Sequence, residues 1–314
     1  MLFLLPQQVK AKVVTPTLRV LSVNGTRESD GSDVYIQSSM LFEDWLRMYY
    51  TCGLELEDSN YHPMTCPTRN HLLTAIDTHF SSAAEYDVSL FYFSGHGTKF
   101  HDFVCSYSQF DDGGTIGYKE LFEAIDKIKG KKIIFIDCCY SGSFITSNEI
   151  ENTDDYYIVT STEDTLSFNE VDYPTIIDKF LDKNAVRYSY FVFNILKGIG
   201  YNQKMRADDH PKDDMVDSRE LFGYLVNKYQ KKYVMKGTSV YVKPTQYGNY
   251  VPFFSKKKQM RVSFDENTSF TVREGETLDL LISATGSGKV KCTSSDSSIA
   301  TVTNKGKEIG RAHV

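Results

Sequence analysis

The stretch that decides the fold reads IIFIDCCYSG and occupies residues 133–142. Its first four residues are branched or aromatic and apolar, which indicates a strand buried on both faces of a parallel sheet. A second stretch of the same kind, LFYFSGHG at residues 90–97, also passes from apolar to small and polar residues. Because ligand chemistry collects at the carboxyl ends of parallel strands, the two strand ends predict a cleft that contains His96 and Cys139.

Helix-like and strand-like stretches alternate on both sides of these two strands, up to about residue 257. Further strands are predicted at residues 18–23, 157–160 and 251–254, and helices at residues 39–50, 68–80, 118–128, 188–196 and 218–229. This alternation is typical of an α/β domain with a mostly parallel central sheet. We therefore predict one such domain over residues 15–257, with residues 251–254 as its closing strand.

The pattern changes after residue 260 to short β-type runs separated by turn residues. Residues 261–307 resemble the bacterial immunoglobulin-like repeat family, and the resemblance implies a partial β-sandwich module. Residues 308–314 match neither that family nor a periodic pattern. Since they back-translate readily into a common sequencing adapter, we expect them to be an artefactual tail, with the natural protein continuing differently.

Composition narrows the class of protein. The chain has 314 residues, 41% hydrophobic and 24% charged, with a formal net charge of −6, which is typical of a soluble globular protein. Such an acidic balance argues against nucleic acid or an anionic membrane as partner. The six cysteines include no CxxC pair, so neither a structural metal nor a disulfide framework is indicated. No signal peptide or membrane span is evident, so a cytoplasmic location is expected, although the immunoglobulin-like module leaves an extracytoplasmic one open.

His96 and Cys139 together can perform nucleophilic catalysis. A thiol becomes a strong nucleophile when it loses its proton, and an adjacent imidazole can take that proton and later give it to the leaving group. The backbone N–H groups of Gly97 and Cys139 are candidates for the oxyanion hole. Cys138 is the alternative nucleophile, but strand alternation places its side chain on the face opposite to that of Asp137 and Cys139.

The two motifs in this order, SGHG and then DCCYSG, resemble the peptidase family of caspases, paracaspases, metacaspases and bacterial orthocaspases. Their separation is close to the roughly 50 residues typical of the caspase histidine and cysteine. The resemblance covers residues 17–254. It implies a caspase-like three-layer α/β sandwich and a cysteine endopeptidase that uses a Cys139–His96 dyad and requires no cofactor.

The sequence departs from the animal caspase signature, because Asp137 stands where that signature has glutamine. This departure favours the metacaspase and orthocaspase branch, in which the matching aspartate and the serine before the histidine, here Ser94, resemble the floor of the S1 pocket. Asp44 stands where the family carries a second acid, although Leu41 replaces the accompanying cysteine. An anionic pocket selects arginine or lysine, so the expected partners are proteins or peptides with a basic P1 residue.

Calcium activation and autoprocessing are two further properties that the family resemblance implies. Metacaspases are commonly activated by calcium; Asp111 and Asp112 could supply part of such a site, but no acid is evident around Ser147. Calcium activation is therefore left open. Autoprocessing is also implied, with basic candidate sites in the loop after the nucleophile strand: Lys179, Lys183 and Arg187.

Two other functions compete with this interpretation. A catalytically silent caspase-like protein could serve in binding or adhesion through its β-module, but the presence of both dyad residues argues against it. A clostripain-like peptidase of the same clan is the alternative among enzymes. Its nucleophile motif differs from DCCYSG.

Overall fold

The chain divides into two compact units, one formed by residues 17–256 and the other by residues 1–16 and 257–314. The computed structural model describes residues 14–25, 34–105, 114–150, 153–166, 189–200, 204–209, 212–228, 231–235, 238–242, 244–248, 252–255, 277–279, 300–302 and 307–310.

The larger unit alternates strands and helices. Its strands are β1 (Leu18–Gly25), β2 (Tyr50–Thr51), β3 (Tyr61–Thr65), β4 (Val88–Gly97), β5 (Asp102–Val104), β6 (Thr115–Gly117), β7 (Lys131–Asp137), β8 (Tyr156–Thr160), β9 (Met215–Asp217), β10 (Lys231–Met235), β11 (Thr238–Val242), β12 (Thr245–Gly248) and β13 (Pro252–Ser255). Its α-helices are α1 (Val34–Met48), α2 (Arg69–Phe80), α3 (Tyr118–Asp126), α4 (Ser143–Thr146), α5 (Tyr190–Ile199) and α6 (Ser218–Lys228), and short 3-10 turns occupy Asp58–Asn60 and Thr153–Asp155.

The central sheet has the strand order β12-β8-β7-β4-β1-β3. The strands β3, β1, β4, β7 and β8 pair in parallel, and β12 pairs antiparallel with β8 at one edge. The prediction of a mostly parallel sheet is therefore confirmed. The prediction that residues 251–254 close this sheet is wrong, because β13 pairs instead with β2 and β9 in a separate small sheet.

Helices cover both faces of the central sheet. Tyr92 and Phe135 belong to the core under α1, α5 and α6, whereas their neighbours Phe93 and Ile136 belong to the core under α2 and α3. Because side chains alternate along a strand, each buried strand contributes to both cores. This arrangement confirms the α/β fold in three layers, with the carboxyl ends of β4 and β7 at one edge of the sheet.

The remaining strands of the larger unit form smaller additions. Beyond the last residue that it pairs with β1, β4 continues into an antiparallel pairing with β5, which in turn pairs with β6. The strands β10 and β11 form a hairpin. Thus β4 serves first the central sheet and then a small sheet at its carboxyl end.

Helix caps explain where the helices begin. The hydroxyl of Thr68 accepts a hydrogen bond from the backbone N–H of His71 and caps α2 as predicted. Asp217 caps α6 by accepting from the N–H groups of Arg219 and Glu220, while Glu220 accepts from the N–H of Asp217. This reciprocal pair is a capping box, so the first turn of α6 is well defined.

The smaller unit contains, among its described residues, the strands β14 (Thr277–Asp279), β15 (Ala300–Val302) and β16 (Lys307–Gly310). They pair antiparallel in the order β14-β16-β15. Residues 308–310 of the expected tail lie in β16. Most of the predicted immunoglobulin-like module, including residues 261–276 and 280–299, lies outside the described residues, so its fold stays a prediction. Within the described part of the chain, no helix is long and apolar enough to span a membrane.

Candidate active site

The register of two neighbouring strands brings the two motifs together. Residues of β4 and β7 pair in parallel with a constant offset that ends with Ser94 opposite Asp137. His96 follows Ser94 by two residues on β4, and Cys139 follows Asp137 by two residues just beyond the end of β7. Gly97 lies directly against this turn, because a Cβ added to it would be 2.0 Å from the carbonyl oxygen of Cys139. The structure therefore places both predicted dyad residues at the carboxyl edge of the sheet, both partly exposed.

Cys138 and Cys139 occupy different environments. Cys138 is fully buried in the core under α2 and α3. Burial raises the pKa of its thiol well above the usual value, and the neighbouring Cys139 adds to the increase. A thiol in this position stays protonated and out of reach of a substrate. Cys139, in contrast, is only partly buried and lies in the turn that follows β7.

The turn that carries Cys139 is held in an unusual backbone conformation. Tyr140 has a φ of 58°, in the left-handed region that non-glycine residues rarely adopt. Its N–H donates to the carbonyl of Thr165 at 2.6 Å. From the core side, the hydroxyl of Tyr118 lies 3.3 Å from the carbonyl oxygen of Cys139 and 3.2 Å from that of Tyr140. These contacts fix the turn. No pattern in the sequence indicates this role of Tyr118, which is predicted only as a residue at the start of a helix.

The backbone of Gly97 is oriented by its pairing with β5. Gly97 is opposite Phe103, and the next residue, Thr98, donates its N–H to the carbonyl of Asp102. Hydrogen-bonded and non-hydrogen-bonded pairs alternate along an antiparallel ladder, so the Gly97–Phe103 pair is a non-hydrogen-bonded one. The N–H of Gly97 therefore points away from β5.

Asp137 is a fully buried carboxyl group directly below the turn. Burial raises its pKa to about 7, and the nearby hydroxyls of Ser189 and Ser161 oppose the increase. Neither hydroxyl reaches good hydrogen-bond geometry, and both carboxylate oxygens lack a hydrogen-bond partner among the described residues. The hydroxyl of Ser94 on the adjacent strand is likewise buried and without a partner in the described structure. The structure thus brings Ser94 and Asp137 together as unsatisfied polar groups.

Asp44 is not brought to this site. Its side chain is exposed on α1, and its nearest charged neighbours are Glu43 and Arg47 of the same helix. Arg47 packs over the ring of Tyr61, which pairs with Val20 in the first half of β1, whereas the dyad lies beyond the carboxyl ends of the strands. The prediction that Asp44 shares the pocket floor is therefore not supported, because its side chain is exposed while its neighbours Phe42 and Trp45 face the core.

The residue of α1 that reaches the site is Ser38. Its buried hydroxyl accepts a hydrogen bond from the N–H of Ser189 at 2.8 Å. Ser189 in turn caps α5 by accepting from the N–H groups of Phe191 and Val192. This chain of contacts ties two helices to the surroundings of Asp137. The polar residue before an apolar helix could have identified Ser189 as a cap, but not as a neighbour of Asp137.

The residues proposed for calcium binding and autoprocessing are not described. Asp111, Asp112, Lys179, Lys183 and Arg187 all lie outside the described ranges. Around Ser147, the structure places the ring of His101, whose Nδ1 is 3.4 Å from the serine hydroxyl. Across the described residues, no group of three or more histidine, cysteine, aspartate or glutamate side chains is arranged to hold a metal ion.

Two comparisons with known proteins give a match, and a third gives none. The family model for the caspase domain matches residues 41–260. Among solved structures, the chain is similar to the crystal structure of caspase-1 from Spodoptera frugiperda, with 13% sequence identity and a TM-score of 0.47 over 74% of this chain and 85% of that one. No curated protein sequence matches the chain. Because the family model spans most of the sequence and includes both strand ends, the chain belongs to the caspase-domain family of cysteine peptidases.

Proposed function

We propose that this protein is an endopeptidase that cleaves peptide bonds after arginine or lysine, with Cys139 as nucleophile and His96 as general acid and base. The proposal rests above all on one observation. The carboxyl group of Asp137, two residues before Cys139 in the sequence, is fully buried and has no hydrogen-bond partner in the described structure. A buried anionic group needs a partner, and a guanidinium or ammonium group of the substrate would supply one.

The chemistry follows from the dyad alone. His96 takes the proton of the Cys139 thiol, and the thiolate attacks the carbonyl carbon of the scissile bond. The resulting oxyanion accepts hydrogen bonds from backbone N–H groups, for which those of Gly97 and Cys139 are the candidates. Collapse of this intermediate breaks the C–N bond, and His96 gives its proton to the leaving amine. Water, deprotonated by His96, then hydrolyses the thioester and regenerates the thiol. Neither a metal nor a cofactor is needed for these steps.

The turn at Tyr140 would position the sulfur of Cys139. A left-handed non-glycine residue costs roughly 1–3 kcal/mol and persists only where the surroundings hold it. Here Tyr118 and Thr165 hold it from opposite sides. Such a fixed turn would keep the sulfur of Cys139 aimed at the substrate carbonyl and reduce the reorganisation that attack requires.

Self-cleavage is a second part of the proposal. Lys179, Lys183 and Arg187 lie in the segment between β8 and α5 and satisfy the proposed P1 preference. Intact mass after incubation should show fragments ending at one of these residues, and Cys139→Ala should stay whole. Fragments in both proteins would indicate a contaminating protease.

The P1 preference is tested with a peptide library that varies only this position. Wild-type protein should release products after arginine and lysine, and Cys139→Ala should release none. Asp137→Asn should lose the basic preference by about 100-fold or more, because an amide cannot neutralise a buried cation. Cleavage after aspartate would overturn the proposed specificity. A folded wild-type protein that cleaves nothing and whose Cys139 ignores thiol-directed probes would instead support the catalytically silent alternative.

A further inference from the structure

A second cleft of about 1110 Å³ lies between α5, α6, residues 204–209 and residue 212. None of His96, Cys139 or Asp137 lines it. Six basic side chains surround it: Lys197, Lys204, Arg206, Lys212, Arg219 and Lys228. Only three acidic residues share the lining, in a chain whose net charge is −6. The cleft therefore carries an excess of positive charge, although the net charge of the whole protein is negative.

The acidic residues of the cleft are largely occupied elsewhere. The carboxylate of Asp208 accepts the N–H groups of Asp213 and Asp214, and that of Glu220 accepts those of Asp209 and Asp217. They stabilise the loop and the start of α6. Two of the three carboxylates in the cleft are therefore hydrogen-bonded to backbone N–H groups.

Four of the basic residues make no ion pair with any described residue. They are Lys204, Arg206, Lys212 and Lys228. Two of them are held in place by their neighbours, because the buried side chains of Met205 and Ala207 alternate with the exposed ones of Lys204 and Arg206. The N–H of Ala207 also donates to the carbonyl of Gly198 at the end of α5. Lys204 and Arg206 therefore belong to a segment whose backbone is held by packing and by a hydrogen bond.

Gly223 is a second, independent feature of this cleft. It lies in the middle of α6, where glycine weakens a helix relative to alanine. Crowding does not explain it, because a Cβ added there would meet nothing within 4 Å. A glycine that faces an open cleft without a steric reason is consistent with the close approach of another molecule to the helix backbone.

We propose that this cleft binds a compact, multiply charged phosphate compound. Several separate cations converge on one space of small-molecule size, which a ligand with many anionic oxygens in a small volume would satisfy. A phosphate group offers three such oxygens, more than a carboxylate of similar size. An acidic peptide is the competing ligand, and the experiment below includes it.

The test uses the full chain carrying Cys139→Ala, so that self-cleavage cannot interfere, and tripolyphosphate as the probe. Isothermal titration should show saturable binding, with sulfate at equal ionic strength at least tenfold weaker. Gly223→Glu places a negative charge in open space and should weaken binding by at least about tenfold. Gly223→Ala adds only a methyl group, so it should raise the melting temperature and retain binding. Arg206→Ala should weaken binding without lowering the melting temperature.

Three results would overturn the proposal: tripolyphosphate binding no tighter than sulfate, binding unchanged in both Gly223→Glu and Arg206→Ala, or tighter binding of an acidic hexapeptide than of tripolyphosphate. Because binding and melting temperature are both measured on an inactive variant, a negative result leaves the proposed peptidase activity untouched. The converse also holds, since loss of cleavage in other assays does not affect this titration.

Discussion

The hydroxyl of Tyr118 lies 3.3 Å from the carbonyl oxygen of Cys139. Tyr118 is the first residue of α3, so its side chain joins this helix to Cys139, two residues beyond the end of β7. The same hydroxyl oxygen is 3.2 Å from the carbonyl oxygen of Tyr140. The rest of the tyrosine is buried in the core under α2 and α3. Tyr118 therefore connects the rigid core to the turn that presents the proposed nucleophile.

Removing only this hydroxyl should impair the chemical step. We expect Tyr118→Phe to lower kcat by about tenfold with little change in KM, because a buried hydrogen bond contributes roughly 1 kcal/mol and the ring still fills its place. Tyr156→Phe is the matched control, since Tyr156 belongs to the same core but donates to Asp126. Steady-state kinetics well below the melting temperature distinguish the two. Equal losses in both variants would mean that the effect is general destabilisation.

The close approach of Gly97 to Cys139 gives a steric prediction. A Cβ at Gly97 would lie 2.0 Å from the carbonyl oxygen of Cys139, so Gly97→Ala must displace the turn. We expect kcat/KM to fall by at least about 100-fold, since small misplacements at a reacting centre are costly. Gly117→Ala is the control, because its added Cβ would meet only a side-chain oxygen of Asp102 at 3.7 Å. Activity of Gly97→Ala close to wild type would contradict the proposed arrangement.

The two adjacent cysteines should respond differently to alkylation. Iodoacetamide should label Cys139 in the folded protein and abolish cleavage, while Cys138 should react only after unfolding because it is buried and its pKa is raised. Peptide mapping by mass spectrometry identifies the modified residue. Correspondingly, Cys138→Ala should retain most of the activity, and Cys139→Ala should retain none. Inactivation by Cys138→Ala in a protein of normal melting temperature would reverse the assignment.

Substrate binding should depend on pH through Asp137. Its pKa of about 7 means that the carboxyl group is mostly neutral at pH 6 and mostly ionised at pH 8. A product peptide that ends in arginine should therefore bind Cys139→Ala more tightly as the pH rises through 7. Use of Cys139→Ala removes the thiol from the measurement, and a peptide that ends in citrulline controls for general pH effects. Parallel pH profiles for the two peptides would exclude Asp137 as the P1 partner.

The same carboxyl group predicts a change in stability with pH. Its pKa is raised from about 3.9 in the unfolded chain to about 7 in the fold, so ionisation favours unfolding over this interval. Stability should fall between about pH 4 and pH 7 and change little above. Asp137→Asn lacks this titration, so its free energy of unfolding should exceed that of wild type by a margin that grows to at most about 4 kcal/mol by pH 7. Denaturant unfolding at several pH values measures this margin, and a constant margin would contradict the raised pKa.

Much of the fold follows from local patterns in the sequence. The apolar runs before SGHG and DCCYSG specify strands buried on both faces, and alternation alone puts Asp137 and Cys139 on one side and Cys138 on the other. The structure confirms the part of this prediction that concerns Cys138, which belongs to the core under α2 and α3. These features depend on residue spacing within one element, which the sequence specifies directly.

Other features depend on which elements meet. Thr245–Gly248 rather than residues 251–254 forms the edge of the central sheet, because short strands carry too little pattern to identify a distant pairing partner. Asp44 faces solvent and Ser38 reaches the site, a difference set by how α1 is rotated against the sheet. Tyr118 contacts Cys139 only because α3 packs beside the end of β7. The sequence by itself determined the buried strands β4 and β7 and the alternation along them. Tertiary packing alone decided which side chains surround the ends of these strands, because such contacts join residues far apart in the chain.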